Sequence, residues 1–133
     1  MSYVIDVSCI DCEKIKSIWG FASGAKILDI TPFGDFFVQI DDDIFLYSLT
    51  DGEISNVSDA IAEHGLPPVE IALGDEWYQL DAQSMLKEDG LTLGPDQCFG
   101  FKDLVFKGGE YGPHNIEIVD LYDYHQRVCS AMT

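Results

Sequence analysis

Three histidines, four cysteines and 24 acidic side chains are the groups of this chain best able to do chemistry, and their spacing argues against most of it. His64, His114 and His125 are too far apart to form a local metal pair. No Ser or Cys sits in a Gly-x-Ser-x-Gly elbow or beside a nearby His, so a base-activated nucleophile has no support. Cys9 and Cys12 have the spacing of half a zinc ribbon, but no second Cys-x-x-Cys and no His-x3-5-His completes four ligands, and the βαβ context of a redox pair is missing. Asp41-Asp42-Asp43 could offer oxygens to a hard cation. Consecutive residues of an extended turn point in opposite directions, however, and no downstream Glu completes a calcium loop, so the triplet reads as a solvated acidic turn. Paired glycosidase carboxylates carry no signal where acids are so abundant, and no Walker loop or Gly-x-Gly-x-x-Gly is present. The expectation is no catalytic residue, no metal and no cofactor. His125, four residues after Leu121, is expected at the edge of the core, and His114, after Pro113, in an exposed turn.

Charge excludes further classes. Against 24 acids stand seven Lys and Arg, a formal net charge of −17. Residues 1–93 hold 18 acidic and four basic side chains, net −14, whereas residues 94–133 hold six and three, net −3. Nucleic acid and anionic membrane surfaces would be repelled, since both are bound through cations. A basic protein partner is favoured by the same charge. Nearly half the residues are apolar and 16 of the 133 are aromatic, so a packed core is expected rather than disorder. No apolar run reaches the roughly 20 residues of a spanning helix, and the start lacks a signal-peptide pattern. Reduced thiols and a soluble, cytoplasmic protein are the expectation.

The elements that would position these groups can be read from periodicity. Residues 9–19 carry Ile10, Ile15, Ile18 and Trp19 at helical spacing, closed by Gly20. Residues 25–31, 36–40, 44–49 and 53–57 read as strands, joined by Pro32 and Gly34, by the acidic turn at Asp41 to Asp43 and by the hairpin signal Asp51-Gly52. Together they predict a four-stranded antiparallel meander. Ser58 is the expected N-cap of a short helix closed by Gly65. After Pro67-Pro68, residues 69–73 form a helical turn or edge segment, and Trp77, Leu80, Met85 and Leu86 mark a helix with Gly90 as its C-cap. Residues 98–102 and 115–119 read as two more strands, and Leu121, Tyr124, His125, Val128 and Met132 as a final amphipathic helix. The fold class is therefore α+β, a mostly antiparallel sheet with helices packed against it, in a single domain over residues 1–133.

The densest motif lies in the last third: Gly94-Pro95-Asp96-Gln97-Cys98-Phe99-Gly100-Phe101, then Gly108-Gly109-Glu110-Tyr111-Gly112-Pro113-His114-Asn115, running on to Asp120. Two glycines before an acid and an aromatic predict a backbone at positive φ, with Glu110 capping amides and Tyr111 packed beneath the sheet. With Trp19-Gly20, Ala25-Lys26 and Ile30-Thr31-Pro32-Phe33-Gly34-Asp35, this block resembles the C-terminal domain of Tdi-type immunity proteins of the type VI secretion system, within the wider Smi/Knr-like group, over about residues 19–125. The resemblance implies a protein that binds and neutralises a toxic nuclease delivered by sibling cells. The best-known members resemble a fusion of an extra N-terminal domain with this one.

A motif shared by proteins with different targets would hold the fold, so Gly94, Pro95, Cys98, Gly108, Gly109, Glu110, Tyr111, Asn115 and Asp120 are assigned to structure. Partner contact is assigned to the acidic stretches outside it, Asp41, Asp42, Asp43, Asp51, Glu53, Asp75 and Glu76, with Phe45, Trp77 and Tyr78 as aromatic anchors. The expected mechanism is occupation of the toxin's basic substrate cleft. Two alternatives stand beside it: a Smi/Knr-like regulatory interaction module unconnected with a toxin, and a small metal- or carboxylate-dependent hydrolase.

Overall fold

A computed structural model describes residue 5, residues 10–66 and residues 79–132. Asp75, Glu76, Trp77 and Tyr78, together with Cys9 and the segment expected at 69–73, lie outside the described residues. The chain begins with helix α1 (Cys12–Trp19) and continues through strands β1 (Lys26–Ile30), β2 (Phe36–Ile40), β3 (Asp43–Ser48) and β4 (Glu53–Asn56). Helices α2 (Ser58–His64) and α3 (Leu80–Glu88), strands β5 (Gln97–Phe101) and β6 (Ile116–Asp120) and helix α4 (Leu121–Met132) complete it. The architecture is α+β: an antiparallel sheet in the order β1-β2-β3-β4 and a separate antiparallel pair, β5-β6. The four-stranded meander read from the sequence is present.

Helix α1 starts where Asp11 accepts the backbone N–H of Lys14 at 3.0 Å and stops at Gly20, φ 74°. Glycine takes that left-handed conformation without the penalty a Cβ would bring. Ser58, by contrast, is not an N-cap. It is the first residue of α2, and its hydroxyl accepts the Ile44 N–H at 2.8 Å, tying the helix to β3, while Asn56 Oδ1 accepts the Ser58 N–H at 3.0 Å. The side chain that the cap would have used is spent on a tertiary bond. Helix α3 ends at Glu88 and is capped by Asp89, with the left-handed Gly90 one position beyond the cap, at φ 83°.

Register decides which face each strand residue takes. Phe36 opposes Tyr47 and Val38 opposes Phe45 on one face, whereas Phe37 opposes Leu46 on the other. The first face meets Ile15, Trp19, Leu121, Tyr124 and Val128 of α1 and α4 in the main core. The second packs Phe37, Ile44 and Leu46 against Ala60 and Ile61 of α2. Leu121, Tyr124, His125 and Val128 fall at i, i+3, i+4 and i+7, so α4 buries one stripe, each large apolar side chain contributing about 1.5–3 kcal/mol. His125 lies not at the core edge but fully inside it, with no exposed surface. Its Nδ1 accepts the Trp19 indole N–H at 2.9 Å, so the ring proton sits on Nε2, which faces the Gly34 backbone without a hydrogen bond of good geometry. Desolvation lowers its pKa to about 3 against a smaller opposing contribution from the Gly34 backbone, and an imidazole neutral near pH 7 serves as a core side chain.

The two sheets are joined at the Thr31-Pro32-Phe33-Gly34-Asp35 bend. Pro32 O accepts the Phe99 N–H at 2.7 Å, and Phe33 packs on Phe99 and Phe101 with ring centroids 5.6 and 6.2 Å apart. A Cβ on Gly100 would fall 2.7 Å from Val119 and 2.9 Å from the Tyr124 ring, so α4 can cross β5 there only over a glycine. Arg127 fastens the crossing by donating to the carbonyl oxygens of Phe101, at 2.8 Å, and Lys102.

Candidate functional site

The signature loop between β5 and β6 is clamped by one buried amide. Asn115 Nδ2 donates to Asp103 O at 2.8 Å and Glu110 O at 2.7 Å, Asn115 Oδ1 accepts the Asp103 N–H at 2.9 Å, and Asn115 O accepts the Lys102 N–H at 2.8 Å. The two glycines do different work. Gly108 sits at φ 101° with open space around it, whereas Gly109 has no positive φ and is needed because a Cβ would fall 1.9 Å from Asp103 O. The expected positive φ is therefore confined to Gly108.

Glu110 does not cap backbone amides: its carboxylate pairs with His114, exposed as expected, at 2.5 Å. Tyr111 does not lie beneath the sheet. It is 54 % exposed, rests one side of its ring on Phe101 at 5.6 Å and donates its hydroxyl proton to Gln79 Oε1. The remaining signature residues lie in an exposed turn, in the core and at a helix start. Gly94 N–H is accepted by Gln97 Oε1 at 2.7 Å beside Pro95, Cys98 is buried, and Asp120 accepts the Asp123 N–H at 2.9 Å at the start of α4.

Beneath Tyr111 lies a carboxylate that the sequence reading passed over. Asp35 is 3 % exposed and surrounded by donors: Leu49 N–H at 2.6 Å, Thr50 N–H at 3.1 Å and Thr50 hydroxyl at 3.5 Å on Oδ1, and Gln79 Nε2 at 3.0 Å on Oδ2. Gln79 Nε2 also reaches Thr50 Oγ1 at 3.0 Å. Burial pushes the Asp35 pKa up to about 7, against the backbone bonds of Thr50 and Leu49 and the Gln79 bond, which lower it; the nearby Asp51 charge adds to the rise. One chain of hydrogen bonds thus runs from Asp35 in the core through Gln79 to Tyr111 on the surface. The one signal in the sequence was Asp35 itself, in a motif noted for resemblance but given no role.

The residues assigned to partner contact separate into two places. Asp41 and Asp42 form the β2–β3 turn, with Asp41 at φ 55°, and Asp43 opens β3; all three are exposed. Asp51 belongs to the β3–β4 turn and Glu53 opens β4, at the opposite end of β3, a six-residue strand about 20 Å long. Phe45 is half-buried against the main core. Asp51 lies on the Tyr111 side: desolvation raises the Tyr111 hydroxyl pKa, and the charges of Asp35 and then Asp51 add to the rise. The Asp51-Gly52 turn sits directly on Phe106, whose ring would lie 2.5 Å from a Cβ on Gly52.

Among the described residues no three His, Cys, Asp or Glu side chains converge on a metal-sized site, and no helix is long and apolar enough to cross a membrane. Fold and site define an α+β protein that displays a clamped loop and a tethered tyrosine on a strongly acidic chain. Residues 70–133 match the family model described as T6SS immunity protein Tdi1, C-terminal, which establishes the family resemblance for this segment. It takes in α3, β5, the signature loop, β6 and α4. No curated protein matches the chain.

Proposed function

We propose that this protein is an immunity protein that binds a secreted toxin, most specifically a type VI effector nuclease, and blocks its basic substrate cleft. The observation that carries the reading is the match of residues 70–133 to the type VI immunity family. The net charge of −17 supports the finer part, because a nuclease is basic wherever it holds DNA and a complementary field raises association rates by about 10 to 10³ fold. Phe45, Trp77 and Tyr78 are the aromatic anchors of this reading, with Asp41, Asp42, Asp43, Asp51, Glu53, Asp75 and Glu76 as its acidic face. Such an inhibitor acts in the compartment where the toxin would cut, the cytoplasm, and needs no catalytic group. Expression of a candidate toxin taken from a gene neighbouring this one should arrest growth, and co-expression of this chain should restore it. Failure to restore growth, with both proteins present in the cell, refutes the proposal.

A further inference from the structure

Three large apolar side chains are exposed among the described residues: Ile54, Met85 and Tyr111. Tyr111 differs from the others in being tethered. Its hydroxyl is held by Gln79, and Gln79 is held by Asp35 and Thr50, so the ring is fixed before any partner arrives. Fixing a side chain in advance removes part of the entropy that binding would otherwise cost, and tyrosines set in this way are typical centres of binding energy. A carboxylate stands on its side of the molecule. Asp51 lies in the β3–β4 turn that packs on Phe106 of the same loop, and its charge, after desolvation and Asp35, disfavours ionisation of the Tyr111 hydroxyl, whereas within the loop Asp103 and Glu110 are balanced by Lys102 and Lys107.

We propose that Tyr111 is the central anchor of the partner surface and that it takes a cationic side chain, an arginine or lysine of the toxin, on its exposed ring face with Asp51 beside it. This rests on the immunity reading above and moves the contact from the Asp41–Asp43 turn to the signature loop. A guanidinium over a tyrosine face is attracted by the ring quadrupole, and more strongly where water is excluded. A neighbouring carboxylate completes the match with a planar, five-donor cation. Asp41, Asp42 and Asp43, at the far end of β3, then contribute long-range field rather than contact.

The test uses the whole chain and a catalytically inactive form of the toxin encoded beside its gene. Tyr111→Ala is expected to weaken affinity by about 30-fold or more while the protein stays folded, its melting temperature falling by only a few degrees for the lost Phe101 contact and Gln79 bond, since the residue is more than half exposed. Tyr111→Phe keeps the ring but frees it from Gln79 and should lose less. Asp51→Lys, on a different element, should also weaken binding, which keeps the test decisive if Tyr111→Ala fails to fold. Combined charge reversal at Asp41, Asp42 and Asp43 should slow association and leave dissociation unchanged. Wild-type binding together with undiminished binding by folded Tyr111→Ala, or by Asp51→Lys if Tyr111→Ala does not fold, overturns the assignment of Tyr111 alone. Absence of binding by the wild-type chain overturns the immunity reading, and this assignment with it.

Discussion

Asp35→Asn isolates the physics of the buried carboxylate. A folded pKa of about 7 lies roughly three units above the unfolded value of about 3.9. The group is raised, so its protonated form stabilises the fold: the contribution is fully present below about pH 4 and is lost as pH rises through 7. At 1.36 kcal/mol per unit, the stability lost relative to acid pH is roughly 1–2 kcal/mol at pH 5, where only the unfolded carboxyl has ionised, and about 4 kcal/mol at pH 8, a swing of roughly 2–3 kcal/mol. Asparagine fits the same space. Its Oδ1 can accept the Leu49 and Thr50 N–H groups, and its Nδ2 can donate to Gln79 once that amide turns over, with Gln79 Nε2 then donating to the Tyr111 oxygen. Urea unfolding of both chains from pH 5 to 8 measures the difference, with equal m-values as the check on two-state behaviour. Of the 24 acids of the chain, all but Asp35 are common to both proteins, and their effects cancel. The wild type should lose roughly 2–3 kcal/mol relative to the variant across this range. A difference independent of pH would refute the reasoning, because it would mean that the four donors around Asp35 outweigh its desolvation.

Three further outcomes are expected. Gly109→Ala should unfold the loop or the protein, because its Cβ meets the backbone oxygen of Asp103, whereas Gly108→Ala should cost only about 1–3 kcal/mol for its positive φ; equal melting temperatures for the two variants would contradict this. Gly100→Ala should destabilise by about 1–3 kcal/mol through overpacking against Val119 and Tyr124, measured by thermal melting, and a neutral result would show that α4 can shift away from β5. Association with the toxin should slow steeply between 0.1 and 1 M salt, where the Debye length falls from about 10 to about 3 Å, and no shift of duplex DNA should appear at physiological salt. A salt-independent rate would remove electrostatic steering, and a gel shift would contradict the reading of the charge.

Local chemistry determined the elements. Asp11 and Gly20 bound α1, the β-rich runs and the Asp51-Gly52 turn make the meander, and the spacing of Leu121, Tyr124, His125 and Val128 makes the last helix, because capping, alternation and helical period are properties of neighbours in the chain. The signature glycines were legible as constraints, but their causes were not: only the approach of the Asp103 carbonyl separates Gly109, excluded by space, from Gly108, set by φ. Ser58 could be assigned a cap because its competing partner, Ile44, is fourteen residues away. Asp35 looked like any of two dozen acids until folding brought Leu49, Thr50 and Gln79 around it, and Tyr111 looked like a core aromatic until the loop turned it outward. Side-chain identity sets what a group can bond, but burial and partners come from residues far apart in the chain, and those only tertiary structure supplies.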